Sequence, residues 1–330
     1  MNNIFKYGSI EAIPLYNCSG MTPDEWSERD GVRRPIAGAL ELTYGIVMNI
    51  LYVPILMVMF EKEHFKMSCF KIMIFLTIVD MLALTVNSIA TGFLAINGAV
   101  YCTYPNFIYI FGMAGLGLWC CSCIIAMSLV INRLMDLTKP QLSNFFFEGN
   151  RTFLVLTIPL IYGLYFIFFT TPIAFTSKYL SWFFDPMIFP NMSHEYTNIP
   201  HSINNVLIVA ITCLLYSSLC CVLNQKFKEM DSPSKSKSLS LQIFFQSALI
   251  CAINQIASII YVVMNFITVP LWLIYLGHIC WQFGHGAPAL IYLGLNRTIR
   301  NGLLRKIHLR GQSKVSGTQL PSRAASSSVA

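Results

Sequence analysis

The chain has 330 residues, of which 55% are hydrophobic and only 11% charged. A soluble domain usually carries ~25% charged residues, so this composition excludes an ordinary water-soluble enzyme or binding module and points to lipid as the solvent. The net charge of +7 is no nucleic-acid signature; its distribution reports orientation instead.

Residues 1–35 form a polar N-terminal segment whose short apolar patch, Ala12–Leu15, is far below the 7–15 residues of a cleavable signal core. Seven apolar stretches follow: Ile36–Phe60, Ile72–Ile96, Phe107–Ile131, Thr152–Thr176, Ile203–Leu223, Leu241–Thr268 and Pro270–Gly294. A helix rises about 1.5 Å per residue, so ~20 residues cross a hydrocarbon layer of ~30 Å, and every stretch is long enough. The expected fold is an all-α, seven-transmembrane helix bundle over 36–294. Beyond it, Leu295, Ile299, Leu303, Leu304 and Ile307 recur at helical spacing among Arg297, Arg300, Arg305 and Lys306. That pattern predicts an amphipathic membrane-surface helix over 295–310. The Ser-rich remainder, 311–330, reads as a disordered cytoplasmic tail.

Seven crossings put the termini on opposite sides. The connectors 60–71, 132–151 and 224–240 and the tail after 294 hold 17 of the 22 Lys and Arg residues. Basic residues concentrate on the cytoplasmic side, so the N-terminus is expected outside, although Arg33 and Arg34 before the first span pull the other way. On this topology only Cys18 and Cys102, of 11 cysteines, lie in the oxidising compartment, and they are expected to pair; the alternative is two free thiols. The run Cys120-Cys121-x-Cys123 has no His nearby and no metal-ligand spacing, and reads as small packing residues. Glycan acceptors at Asn17-Cys-Ser and Asn191-Met-Ser fall outside; those at Asn150 and Asn296 fall inside and should stay unmodified.

An ionisable group within the hydrocarbon costs ~2.5–3.5 kcal/mol even on lenient scales, so it asks for a role. Asp80 lies nine residues beyond Lys71, ~14 Å from the inner face by helical rise. Counting from their own cytoplasmic ends, Asn49, Ser122 and His285 reach similar depth. A shared polar activation cluster around Asp80 is the functional reading; unrelated polar groups bonded to their own backbones is the bland one. At the inner end of span three, Arg133 follows Asn132 and can pair on a helix with Asp136. Span seven holds His278, Trp281, Gln282, Gly284, His285, Gly286, Pro288 and Tyr292, and its Gly and Pro residues invite a kink, which makes Pro288 and Tyr292 candidate parts of a switch. Depth alone marks Trp119, Tyr261, Asn265, Trp281 and Gln282 as pocket residues, with simple packing the alternative for each aromatic.

Several segments together resemble a known family: Gly98-Ala-Val-Tyr-Cys-Thr-Tyr-Pro105, Asn132-Arg-Leu-Met-Asp136, Trp182-Phe-Phe-Asp-Pro-Met187, Pro200-His-Ser-Ile-Asn-Asn205, Ser240-Leu-Gln-Ile-Phe-Phe-Gln246, Tyr261-Val-Val-Met-Asn-Phe266, Gly277-His-Ile-Cys-Trp-Gln-Phe-Gly-His-Gly286 and Ile291-Tyr-Leu-Gly-Leu-Asn-Arg-Thr-Ile-Arg-Asn301. The chain looks like a G-protein-coupled receptor and, more closely, a nematode serpentine chemoreceptor of class T. The resemblance covers about residues 40–305. It implies a receptor for an odorant or pheromone-like small molecule in the plasma membrane of a sensory cilium, acting on a heterotrimeric G protein, with Arg133 meeting the G-protein helix. The sequence departs from the wider receptor pattern in four places. Asn132 replaces the usual acid, Pro288 and Tyr292 are one residue further apart, span six has no Pro, and 177–202 offers no Cys to Cys102.

The competing reading is a transporter or ligand-gated channel subunit, but no paired repeat is visible. A light receptor would need a Schiff-base Lys between 241 and 294, where there is none. No nucleophile–base pair or metal-ligand set suggests an enzyme, a cofactor or a metal. The expected partners are the bilayer, a small-molecule ligand and a heterotrimeric G protein, with a receptor dimer left open and no nucleic acid.

Overall fold

The computed structural model describes residues 2–229, 249–250, 252–264, 267 and 269–316. Five described helices are long and apolar enough to cross a membrane: α1 (Pro35–Met59), α2 (Ser68–Asn97), α3 (Pro105–Thr138), α4 (Arg151–Phe169) and α5, whose apolar part runs Ile199–Val222 within Ile199–Glu229. The described part of α6 is the shorter apolar helix Ala252–Met264. Next, α7 (Leu271–Leu295) has spanning length, its apolar run interrupted by His278, Gln282, Gly284, His285 and Gly286. Last comes α8 (Arg297–Ser316), which runs past the sequence-based limit of 310 and so draws 311–316 out of the expected disordered tail.

In lipid each span must satisfy its own backbone hydrogen bonds, which is why apolar runs of this length form helices. The starts at Pro35 and Pro105 carry proline in the first turn, where its missing N–H costs nothing. The fourth span corrects the sequence reading. It was expected to reach Thr176, yet the helix ends at Phe169, because Pro172 disfavours helical backbone in the residue before it and cannot donate. The apolar residues beyond form a strand, β1 (Ala174–Thr176), paired antiparallel with β2 (Ser181–Phe183). Ala174 faces Phe183, Phe175 faces Trp182 and Thr176 faces Ser181.

Burial separates a centre from a rim. In α2 and α3, 72% of the most apolar stretch is buried, against 22% in α5 and 28% in α4, so α2 and α3 form the bundle's axis. The rim helices present Ile36, Leu40, Leu154 and Leu214 outward, as lipid-facing surfaces require. Helices attract one another in lipid by close packing more than by hydrophobicity, and small residues permit it. At the α1–α2 crossing Gly38 and Gly92 meet: a Cβ on Gly92 would stand 2.4 Å from the Gly38 carbonyl oxygen. Gly117 and Gly163 do the same for α3 and α4, with a Cβ on Gly117 falling 2.7 Å from the Gly163 oxygen.

The polar N-terminal segment folds into a cap over one end of the bundle, the end that the charge pattern marks as outer. Thr22 and Glu25 form a capping box that starts a short helix, Pro23–Asp30. Trp26 donates to the Cys18 carbonyl at 3.1 Å, and Cys18 is bonded to Cys102 just ahead of α3. Tyr16 packs its ring against Tyr101, Tyr109 and Tyr196, while Tyr196 donates to the Leu15 carbonyl at 2.6 Å. Burial pushes the Tyr16 phenol well above its ordinary pKa. On the opposite face Glu61 holds α8, meeting Lys306 at 2.9 Å and Arg305 at 3.0 Å. The Lys306 hydrogen bond lowers the Glu61 pKa.

Candidate functional site: an outer cavity above a buried polar core

A cavity of about 710 Å³ lies among the outer halves of α3, α5, α6 and α7, with β2 and the loop after it in its wall. Its size is that of a small-molecule site. Trp119, Tyr261 and Trp281 line it, as their depth in sequence suggests. Gln282 does not: it turns away and donates to the Asn87 carbonyl at 2.8 Å. Asn265 lies outside the described residues. Sequence depth missed part of the wall. Trp182 is buried, donating to Thr91 Oγ1 at 2.9 Å, and with Phe183, Phe184, Asp185 and His201 it completes the enclosure. The run Trp182–Met187 was a visible signal, but its inward fold depends on the strand pair. Both Asp185 oxygens are occupied, one by the Met187 N–H at 2.8 Å and the other by the Ser193 hydroxyl.

Beneath the cavity the polar residues form two layers. In the deeper one, His285 Nδ1 lies 2.8 Å from Asp80 Oδ1, and both side chains are 1% exposed. Tyr52, unnoticed in the sequence, donates to the His285 carbonyl at 2.6 Å and stands 3.5 Å from Asp80 Oδ2. The four-residue cluster is therefore corrected. Ser122 is buried but donates to its own helix at the Trp119 carbonyl, 2.9 Å away, and Asn49 is only half-buried with no polar partner among the described residues. Equal depth does not imply a shared azimuth: Ser122 is bonded to its own helix and Asn49 joins no polar neighbour among the described residues. The upper layer is built on an acid of α1 that the sequence reading does not include: Glu41 Oε1 lies 3.6 Å from His278 Nε2, with Gln282 at 3.1 Å from the same nitrogen. Two His–acid pairs thus sit two turns apart on α7. Trp119 connects cavity and core, lining the first and standing edge-on to His285 at 6.1 Å.

Tyr292 is fully buried and Pro288 lies buried inside α7. At the inner end of α3, Asn132 is fully buried and donates to Ser68 Oγ at 3.2 Å. Arg133 reaches Asp136 at 3.8 Å, with the carboxylate side chain 40% exposed; a pair of this kind contributes ~0–1 kcal/mol. Asp136 also accepts from Ser143 on the helix Pro140–Phe147, so Arg133 is held loosely and its partner firmly. Asn17 and Asn191 are both exposed.

A helix bundle that spans the bilayer, with a roomy cavity at one end and a loosely held Arg at the other, is the architecture of a seven-transmembrane receptor. The chain belongs to the family described as serpentine type 7TM GPCR chemoreceptor Srt, whose model matches residues 3–316. It is similar to Serpentine receptor class T-55 of Caenorhabditis elegans, 28% identical over 296 residues, which is 89% of this chain and 80% of that protein.

Proposed function

We propose that this chemoreceptor binds a small ligand in the outer cavity and activates a heterotrimeric G protein through Arg133 at the opposite end. The carrying observation is Trp119, which belongs to the cavity wall and also touches His285 of the buried core. A ligand that shifts this ring changes the seating of α7 against α2, where Asp80 and His285 meet. The Asp80–His285–Tyr52 core is the element with two packings, Pro288 and Tyr292 allow α7 to move, and Arg133 is released from Asp136 to meet the G protein. A ligand biases such an equilibrium only by binding one packing better than the other. The reading includes a plasma-membrane protein of a sensory cilium with its N-terminus outside, glycans on Asn17 and Asn191, a Cys18–Cys102 bridge that steadies the cap, and a receptor dimer as one form of assembly.

The test is expression in a heterologous cell, with second-messenger output read against a panel of volatile compounds. Wild type should respond to members of the panel, and Arg133→Ala should keep surface expression and ligand binding while losing the response. An Arg133→Ala receptor that signals normally would remove the assigned coupling role. A tag at residue 1 should be reachable by antibody on intact cells.

A further inference from the structure

Resting on the reading that the outer cavity is the ligand site, we infer that its ligand is a small organic cation: a protonated amine or quaternary ammonium group on an apolar body. The argument starts from the charge of the wall. Among its described residues Asp185 carries the one fixed charge, and no Lys or Arg joins it. Asp185 stands half-buried in the loop after β2. Its oxygens accept from the Met187 N–H at 2.8 Å and from the Ser193 hydroxyl. A carboxylate offers about four acceptor sites, so two neutral donors orient the group and leave its charge uncancelled. Among the described residues no cationic side chain pairs with it. The two histidines of the wall are held elsewhere, His194 against Glu195 at 3.1 Å and His201 against Asn205 at 3.3 Å. Lys178 stands outside the wall, exposed and over the Tyr179 ring at 5.6 Å.

A ligand that fills a cavity of about 710 Å³ excludes water from that carboxylate. A neutral ligand returns nothing for the lost hydration of the charge, and an anion adds like-charge repulsion. A cation recovers the loss as a Coulomb attraction in surroundings that screen less than water. The rest of the wall suits the same chemistry. Trp119, Trp182, Phe183, Phe184, Tyr261 and Trp281 bring aromatic rings to it. An aromatic face attracts an ammonium group held within ~6 Å of the ring centre. The same rings, with Leu116 and Ile173, make a surface that an apolar body covers and a bare inorganic ion does not.

Three water-soluble probes of similar shape and different charge separate the classes: benzyltrimethylammonium, 2-methyl-1-phenylpropan-2-ol and benzylsulfonate. They are bound to the purified full-length receptor in a maltoside detergent, which carries no ammonium group. Tryptophan fluorescence reads the binding, since Trp119, Trp182 and Trp281 stand in the wall, and no G protein is needed. The cation should bind about tenfold tighter than the alcohol, and the anion weakest. Asp185→Asn keeps an oxygen for the Met187 N–H and removes the charge. It should lower the ratio of cation to alcohol affinity and raise the anion toward the alcohol. A damaged loop weakens all three probes alike and leaves that ratio in place. Trp281→Leu removes an aromatic ring from a different element and should lower the same ratio. Glu195→Gln, an exposed acid outside the wall, should keep the wild-type ranking. Alcohol or anion binding as tightly as the cation, no binding of the cation, or a ratio that survives both Asp185→Asn and Trp281→Leu would each overturn the inference. Equal affinities would leave the cavity a ligand site, whereas a missing second-messenger response with the cation preference intact would count against the signalling reading alone.

Discussion

The contact between Gly38 and Gly92 sets how α1 lies on α2, and through it whether Glu41 reaches His278. A methyl group on Gly92 would come to 2.4 Å from the Gly38 oxygen, 2.7 Å from the Leu42 nitrogen and 2.8 Å from the Leu42 Cβ. Carbon and oxygen rest at ~3.3 Å or more, so the helices must part by roughly 1 Å. Overpacking of this kind costs ~1–3 kcal/mol, while alanine's better helix propensity returns up to ~1 kcal/mol. The control is Gly294→Ala, which meets nothing within 4 Å and takes only the propensity gain. The difference between the two variants then isolates the packing cost, ~1–3 kcal/mol in favour of Gly294→Ala. Thermal unfolding in detergent, followed with a thiol-reactive dye that reports exposure of the buried Cys120 and Cys123, measures it. Gly38→Ala added to Gly92→Ala should cost less than the sum, because the first methyl has already opened the crossing. If Gly92→Ala unfolds at or above the temperature of Gly294→Ala, the close approach does not carry the α1–α2 seam.

Three further outcomes are expected. Asp80→Asn should reach the surface and bind ligand but shift basal or stimulated second-messenger output, since it keeps an acceptor for His285 and removes the charge; an unchanged dose–response curve would rule out a role for the core in activation. Cys18→Ala should lower the melting temperature and abolish its sensitivity to reductant, because a bridge spanning 84 residues constrains the unfolded chain by up to ~4.6 kcal/mol. Asn17→Gln with Asn191→Gln should together remove any glycosidase-sensitive mobility shift; a shift that survives in the double variant would place the glycan, and with it the topology, elsewhere.

The apolar runs read directly from the sequence as spans, because a chain in lipid has no water to complete its backbone hydrogen bonds and forms helices where it is apolar. Depth was legible too, since helical rise is constant: Asp80 and His285 meet as their counts suggested. Azimuth was not. Spans that are apolar on every side carry no stripe to say which face turns inward, and that choice belongs to close packing such as Gly38 on Gly92. Only the folded bundle therefore decided that Gln282 leaves the cavity for Asn87, that Ser122 bonds to its own helix, that Tyr52 joins Asp80, and that Glu41 finds His278. The strand pair after Phe169 likewise comes from contacts between segments, where periodicity carries no information.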